Sequence, residues 1–295
     1  MILVTGANGQ LGQCFRKASA HWPGQSFVFE GSQGLDISDR RAVREYFKSR
    51  QSKEEDKLRW VINCAAYTAV DKAESEPEKA RKINVLGTKN LAEACAEFGI
   101  PFVHFSTDYV YHSRQNTPFQ ETDRVSPKGV YARTKLAGER AAFRAQPLSM
   151  VIRSSWVYSA FGQNFVKTML RLGRERSELK VVADQIGTPT YAPDLADAVL
   201  KIIQKVESGE IEKESITGIW HYSNEGVASW YDFAAAIFEL GGIDCHVYPI
   251  ATKDFPTAAQ RPPFSVLDKS KIKAAFGIEI PHWRESLRRC LTELT

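Results

Sequence analysis

Several features are scarce or missing in this chain of 295 residues, and each absence argues against a class of protein. No apolar run approaches the roughly 20 residues of a membrane-spanning helix, so we expect no membrane partner. The five cysteines are odd in number and never form a C-x-x-C pair. This argues against a disulfide framework or zinc site and favours a reducing, cytoplasmic compartment. The formal net charge of +4 comes without long blocks of one sign, which argues against nucleic-acid binding.

The most informative motif lies at the start of the chain. Residues 2–4 are apolar and predict a buried parallel strand beginning too early to leave room for a signal peptide. Gly6, Gly9 and Gly12 follow, and helix-compatible sequence covers 10–18. Gly6 allows a tight turn, Gly9 lets backbone N–H groups approach a pyrophosphate, and Gly12 lets the helix pack closely on the sheet. The spacing is G-x-x-G-x-x-G, so it predicts a dinucleotide site by analogy; a glycine turn that binds nothing is the alternative.

Three further positions could complete such a site. The predicted strand 26–29 ends at Glu30, where an acid commonly binds the adenosine ribose, although it could be an ordinary loop glutamate. Asp36 is either the N-terminal acid of a helix predicted over 39–48 or an adenine contact. The strand 60–66 ends in small residues, which suit a flat cofactor close to the backbone or tightly packed helices.

Alternating strands and helices predict an α/β fold, a doubly wound parallel sheet of the Rossmann type with a smaller C-terminal substrate lobe. We expect residues 1–154 and 180–222 to form the dinucleotide-binding domain and 155–179 and 223–295 the substrate lobe, so that the chain interleaves. Further segments predict helices over 77–98, 131–144, 164–174, 194–206 and 229–240, strands over 102–105, 150–153, 180–183 and 219–222, and a loop over 111–128.

Tyr131 and Lys135 are the best candidates for catalysis. They are four residues apart and therefore share a helix face, and the other nine tyrosines lack a lysine at that spacing. A tyrosine titrates at about pH 10, and a nearby ammonium is expected to lower that pKa and make it a usable proton donor. Thr107 follows a predicted strand and adds a hydroxyl that can polarise a carbonyl. His104 lies within that strand, so we expect it to pack in the core.

Together these segments resemble the extended short-chain dehydrogenase/reductase family, over nearly the whole chain, and within it the reductases of 4-keto nucleotide sugars. The segments that carry the resemblance are 6–12, 63–74, 106–110, 131–139, 153–158, 164–169, 184–190 and 261–262.

The resemblance implies hydride transfer from NADPH or NADH to the 4-keto carbon of dTDP-4-dehydro-6-deoxy-L-mannose, giving dTDP-L-rhamnose. It implies that Tyr131 supplies the proton, that Lys135 tunes it and holds the ribose, and that Thr107 polarises the carbonyl. The cofactor-binding residues expected from the motifs and the resemblance are Gly6, Gly9, Gln10, Leu11, Gly12, Glu30, Asp36, Ile37, Ala65, Ala66, Tyr67, Thr68, Phe105, Tyr131 and Lys135. The expected sugar contacts are Thr107, Asp108 and Trp156.

The sequence departs from the family pattern at a metal site, and alternative functions stay open. Some relatives dimerise around magnesium held by carboxylates, but Cys14 and Pro193 stand about where two of those acids would be. We therefore expect no metal there, and a homodimer remains open. A nucleotide-sugar dehydratase or epimerase, or a non-catalytic subunit like the regulatory subunit of methionine adenosyltransferase, would share the fold.

Overall fold

The computed structural model describes residues 1–113 and 115–294. Arg114 of the predicted 111–128 loop and Thr295 of the predicted lobe lie outside the described residues. The strands are β1 (Ile2–Thr5), β2 (Phe27–Glu30), β3 (Trp60–Asn63), β4 (Phe102–Thr107), β5 (Ser149–Ser154), β6 (Val157–Tyr158), β7 (Glu178–Val182), β8 (Ile186–Gly187), β9 (Thr190–Tyr191), β10 (Gly218–His221), β11 (Ala228–Ser229) and β12 (His246–Ile250).

Most of the helices follow predicted segments. The helices are α1 (Gln10–Ser19), α2 (Arg40–Gln51), α3 (Val70–Ala73), α4 (Pro77–Arg81), α5 (Thr88–Glu97), α6 (Gly129–Ala145), α7 (Phe165–Glu175), α8 (Ala192–Glu207), α9 (Trp230–Gly241), α10 (Ser270–Phe276) and α11 (Trp283–Thr292). Of these, α3 and α10 were not predicted. Pro77 stands in the first turn of its helix, and Ser229 caps α9 in a reciprocal capping box with Asp232, as such residues favour.

A central parallel sheet organises the molecule in the strand order β2-β1-β3-β4-β5-β10. Alternate residues of β1 face opposite sides, so Ile2 and Val4 pack with α1, α8 and α10 while Leu3 packs with α2, α5 and α6. Because both faces are covered by helices, the strands are mostly apolar, and most of their polar residues lie towards the carboxyl ends. The predicted doubly wound α/β fold is confirmed.

The strand order reverses between β1 and β3. Open α/β sheets bind ligands at such a switch point, outside the carboxyl ends of the strands. The turn after β1 and the turn after β3 meet here: a Cβ on Gly6, which has a φ of +65°, would lie 2.5 Å from the Ala65 nitrogen. Only glycine therefore fits at this crossing.

The predicted helix over 77–98 is interrupted by a wide turn. Between α4 and α5, Lys82–Gly87 forms a π-helical segment. Such segments often occur at functional sites because they turn a side chain that regular α-helical spacing would direct elsewhere. This one carries Asn84, which is fully buried.

A second apolar cluster forms the lobe. It is enclosed by α7, α9 and α11 together with β7, which pairs with β12 rather than with the central sheet. The boundary predicted at residue 180 falls inside this strand and placed its residues 180–182 in the dinucleotide-binding part, but Val181 packs in the same lobe cluster as Leu179. The pairing was missed because β12 lies more than 60 residues further along the chain, where proline-rich sequence suggested loops.

Candidate active site

The glycine turn presents the N-terminus of α1 to the switch point. Gly9 is the N-cap residue of α1 and has no side chain that could accept a hydrogen bond from the first N–H groups of the helix. A Cβ on Gly12 would lie 2.4 Å from the Gly6 carbonyl oxygen, so Gly12 allows the helix to close onto the turn itself. A Cβ on Gly9 would meet only that same oxygen, at 3.2 Å, which leaves the space above the turn open. Leu11 packs against the central core.

The segment after β3 is fixed by a buried asparagine network. Asn63 accepts hydrogen bonds from the Thr5 hydroxyl at 2.8 Å and from the Ala65 N–H at 3.1 Å. Its Nδ2 lies 3.1 Å from Nδ1 of His104, which is fully buried as expected and whose pKa burial lowers well below its usual value. His104 therefore supports the strand end as a neutral ring.

Asn84 holds the next residues of the same segment. Its Oδ1 accepts from the Tyr67 N–H at 2.8 Å, and its Nδ2 contacts the Tyr67 carbonyl at 3.2 Å and the Thr134 hydroxyl at 3.1 Å. The Tyr67 side chain is buried and donates to Glu76 at 2.9 Å, Ala66 is partly exposed, and Thr68 is exposed. Sequence reasoning missed Asn84; the only signal is a polar residue of modest helix propensity within a helical segment.

The predicted adenosine-binding residues lie at the end of β2 and beyond. Glu30 accepts a hydrogen bond from the Tyr46 hydroxyl at 2.9 Å, so one carboxylate oxygen already has a partner. Asp36 is exposed and accepts from the Ser38 hydroxyl at 2.6 Å. The N-cap of α2 is Asp39, so the alternative in which Asp36 is the N-terminal acid of that helix is wrong, and its contact with adenine stays a prediction. Ile37 is buried against the π-helical segment.

Lys135 is buried beneath the carboxyl end of β4. Its Nζ donates to the Phe105 carbonyl oxygen at 2.6 Å, and the residue is only 3% exposed. Burial lowers the pKa of Lys135 to about 8, although the nearby Glu139 carboxylate opposes this. The ammonium form therefore predominates at neutral pH but lies close to its titration point.

Tyr131 lies with Thr107 at the same strand end. Burial raises the pKa of Tyr131 to about 12, and a contact with the Thr107 hydroxyl opposes the rise. The sequence predicted a pKa lowered by Lys135, and this prediction is wrong. Four-residue spacing puts both residues on one helix face, but the Lys135 ammonium is directed at the Phe105 carbonyl, and desolvation dominates at Tyr131.

Asp108 is the most unusual carboxyl group of the site. It is 1% exposed; its Oδ1 accepts from the Thr107 hydroxyl at 3.0 Å, and its Oδ2 has no hydrogen-bond partner among the described residues. Burial raises the pKa of Asp108 to about 7. A buried, half-satisfied polar group is costly to folding, which is typical of a position retained for ligand binding.

An ion pair closes the surroundings of Tyr131. The Tyr109 ring meets the Tyr131 ring edge to face, with centroids 6.0 Å apart. Burial raises the pKa of Tyr109, and the guanidinium of Arg261 opposes the rise. Arg261 in turn forms an ion pair with Asp71 of α3, at 2.6 Å. This ion pair joins α3 to the loop that precedes Phe264, the residue that bridges to β8. The resemblance had included Arg261 and Asp71 without bringing them together.

Glu74 and a buried ion pair hold α6 in place under the site. The Val130 N–H donates to Glu74 at 2.7 Å, which puts a carboxylate at the helix N-terminus where the dipole favours it. Further along α6, Glu139 forms a bidentate pair with Arg153 of β5, at 3.0 and 2.7 Å, and also accepts from Ser106. These bonds fix α6, and hence Tyr131, relative to the strand ends.

Trp156 and Gln10 connect the site to the lobe. Trp156 has a φ of +46° and stacks on Trp230, with ring centroids 3.6 Å apart. The Gln10 side chain bonds Val157 and Asn164 across the gap between α1 and the lobe. The expected cofactor contact of Gln10 is thus left to its backbone, since its amide group is engaged elsewhere.

The described residues contain no group of three or more His, Cys, Asp or Glu side chains arranged to hold a metal ion. Within the same part of the chain, no helix is long and apolar enough to cross a membrane. Cys14 is buried, and Asp194 is bound to Arg289 at 2.8 Å.

The whole chain is similar to known proteins. A family model described as RmlD substrate binding domain matches residues 1–295. A dTDP-4-dehydrorhamnose reductase of Sinorhizobium fredii is 41% identical over 297 residues, which cover 99% of this chain and 97% of that protein. The crystal structure of a dTDP-4-dehydrorhamnose reductase from Clostridium acetobutylicum matches with a TM-score of 0.91 and 42% identity, covering 99% of both chains. That of the Bacillus anthracis dTDP-4-dehydrorhamnose reductase in complex with NADP matches with a TM-score of 0.90 and 35% identity, covering 99% of this chain and 98% of that one.

Proposed function

The chain belongs to the RmlD substrate binding domain family, and from this premise we propose that it reduces the 4-keto group of dTDP-4-dehydro-6-deoxy-L-mannose to dTDP-L-rhamnose, with NADPH or NADH as the reductant. One observation carries the proposal: Tyr131, Lys135, Thr107 and Asp108 meet at the carboxyl end of β4, two strands away from the glycine turn. Carbonyl reduction requires a proton donor, a cation and a polarising hydroxyl close to the cofactor, and these groups lie here near the glycine turn.

The residues of the switch point suit a dinucleotide. The open space above Gly9 and the uncapped N-terminus of α1 form a cradle for a pyrophosphate, which a Cβ at Gly9 would begin to fill. Glu30 is placed to accept from a ribose hydroxyl, and the small side chains of Ala65 and Ala66 leave room for a flat ring. A bound NADPH or NADH would supply the hydride that reaches C4 of the sugar.

The chain's own residues manage the proton. With a pKa of about 12, Tyr131 keeps its proton throughout the neutral range and donates it to O4 as negative charge develops there, which completes the alcohol. The Lys135 ammonium, bound to the Phe105 carbonyl oxygen, adds positive charge beneath the strand end and would hold the ribose of the cofactor. The Thr107 hydroxyl polarises the keto oxygen, and Asp108 orients the sugar through the carboxyl oxygen that no described residue binds.

Tyr109 separates reduction from dehydration or epimerisation. The resemblance to the extended short-chain dehydrogenase/reductase family implies a glutamate at this point in dehydratases and a cysteine in fucose-pathway epimerase-reductases, as an extra acid/base that removes a proton beside the keto group. The raised pKa of Tyr109 makes it a poor base at neutral pH. Incubation in D₂O with the oxidised cofactor, followed by NMR of the sugar, should therefore show no enzyme-dependent deuterium at C3 or C5.

The test of the function is oxidation of NADPH and NADH, followed spectrophotometrically with a panel of 4-keto nucleotide sugars. We expect turnover with the dTDP-linked 4-keto-6-deoxy sugar. Binding of both ligands without turnover would favour the non-catalytic subunit instead.

The five cysteines are all free thiols, which supports a cytoplasmic location. A homodimer remains part of the proposal.

A further inference from the structure

Gln10 uses both ends of its side-chain amide to bind the lobe. Its Nε2 donates to the Val157 carbonyl oxygen at 3.0 Å, and its Oε1 accepts from Asn164 Nδ2 at 2.7 Å. These partners lie 147 and 154 positions further along the chain. Gly162 lies beside Gln10, where a Cβ would make an ordinary contact at 3.4 Å with the Cβ of Gln10, and its φ of +64° is in the left-handed region that favours glycine. We call these two hydrogen bonds the Gln10 clasp.

The main chain of Gln10 belongs to the other part of the molecule. Gln10 is the first residue of α1, where backbone N–H groups have no acceptor within the helix. These are the groups that the proposed function assigns to the pyrophosphate of the cofactor. A single residue therefore faces the cofactor with its backbone and the lobe with its side chain.

The clasp ends on a segment that is itself tightly held. Asn164 Oδ1 caps α7 by accepting from the Lys167 N–H at 3.1 Å, while its Nδ2 also donates to the Ser159 carbonyl at 2.8 Å. Val157 directly follows Trp156, whose backbone has the left-handed φ of +46°. A displacement of Gln10 would thus be passed to Trp156, the residue expected beside the sugar.

We propose that Gln10 is a positioning residue whose clasp couples binding of the dinucleotide cofactor to binding of the sugar nucleotide, an inference that rests on the proposed function. A ligand changes the affinity of a second site only where it interacts differently with two arrangements of the protein. A pyrophosphate on the first turn of α1 fixes Gln10, and Gln10 fixes the 157–164 segment. Because such coupling is reciprocal, each ligand strengthens the other by the same factor.

Isothermal titration of the full chain measures this coupling. The Kd of dTDP is determined with and without saturating NADP⁺, and the Kd of NADP⁺ with and without dTDP. For the unmodified protein we expect a coupling factor of about ten in both directions, within the usual range for linked sites.

Two nearly isosteric variants break the clasp. Gln10→Glu places a carboxylate against the Val157 carbonyl, and Asn164→Asp keeps the cap of α7 but cannot donate to Gln10. Each should reduce the coupling factor to about one. Asn164→Asp should change the affinity for NADP⁺ alone less than about threefold, whereas Gln10→Glu, which adds a negative charge beside the proposed pyrophosphate site, should weaken it. Each variant removes one of the two hydrogen bonds of the clasp, Gln10→Glu the one to Val157 and Asn164→Asp the one between the two side-chain amides. Lys167→Met is the control: it removes the bond from Lys167 to the Ala160 carbonyl in the same segment and should keep the unmodified coupling factor.

Each outcome decides the proposal. Equal coupling in the unmodified protein and both clasp variants overturns it, as does an equal loss in Lys167→Met, since loosening of the segment alone would then explain the effect. Independent binding of the two ligands to the unmodified protein also overturns it, while leaving the proposed function intact. Failure to bind either ligand contradicts the proposed function itself. Thermal melts identify any variant that does not fold, and if Gln10→Glu is one, Asn164→Asp carries the test.

Discussion

At the scale of single residues, the hydroxyl of Tyr131 is the group on which reduction depends. Tyr131→Phe keeps the ring and its edge-to-face contact with Tyr109 but removes the proton donor. We expect kcat to fall about 100-fold or more, with the Kd of NADP⁺ nearly unchanged. Steady-state kinetics and titration measure the two quantities, and Tyr109→Phe, which removes the neighbouring hydroxyl, should retain more activity. Near-normal turnover of Tyr131→Phe would remove this residue from the mechanism.

The charge of Lys135 gives the reaction a pH dependence. Because burial lowers its pKa to about 8, the ammonium is present below that pH and is lost as the pH rises through it. We therefore expect kcat/KM to fall above about pH 8, as the positive charge beneath the strand end that carries Thr107 disappears. Lys135→Arg, which stays protonated, should be less active but should lack this decline. A profile that stays flat in the unmodified protein well above pH 8 would contradict this role.

Glu30 is expected to influence the choice between NADH and NADPH. Its carboxylate suits a ribose 2′-OH and repels a 2′-phosphate, so Glu30→Gln should shift the ratio of kcat/KM values toward NADPH. Tyr46→Phe removes the hydrogen bond to Glu30 but keeps the charge, and should shift the ratio much less. If both variants have the same ratio as the unmodified protein, Glu30 does not contact the ribose.

At the scale of elements, the π-helical segment between α4 and α5 is predicted to support both the stability of the fold and the binding of the cofactor. Asn84→Ala removes three side-chain contacts to Tyr67 and Thr134 and leaves buried backbone groups unpaired. We expect the free energy of unfolding to fall by about 2–3 kcal/mol and the affinity for NADP⁺ to weaken. Denaturant unfolding and titration test this.

Asn90→Ala in α5 is the matched control for that turn. It removes one bond to the Ile37 carbonyl and should cost only about 1 kcal/mol. Equal losses of stability in the two variants would mean that the turn has no special role.

At the scale of the whole molecule, the Arg261–Asp71 ion pair joins distant parts of the chain beside Tyr109. Removing it should loosen the wall of the substrate site more than the cofactor site. We expect Arg261→Ala to raise the KM for the sugar nucleotide roughly tenfold and to change the Kd of NADP⁺ little.

Arg284→Ala is the control for this ion pair. It breaks a pair of similar length with Glu239 within the lobe. The same increase in KM in both variants would show that the position of the ion pair is unimportant.

The sequence predicted what depends on neighbours along the chain and missed what depends on distant contacts. The glycine turn, most of the helices and the strands of the central sheet follow from local patterns, whereas the joint role of Tyr131 and Thr107 was implied by the family resemblance. The pairing of β7 with β12 was missed because it joins remote segments. The raised pKa of Tyr131 was missed because burial and the direction of the Lys135 side chain are tertiary properties. Asn84 was missed because it belongs to no recognised sequence motif.

The lobe is assembled from two separate stretches, since β7 and α7 come before β10 of the central sheet while β12, α9 and α11 come after it. A single cut in the chain cannot separate the core of the central sheet from the core of the lobe, because any cut between β7 and β12 leaves each fragment with part of the lobe. Recombination between relatives would therefore exchange this lobe intact only by three crossovers, one on each side of the first stretch and one before the second. Substrate preference in such a chain is expected to change by point substitution at the lobe surface rather than by exchange of a module.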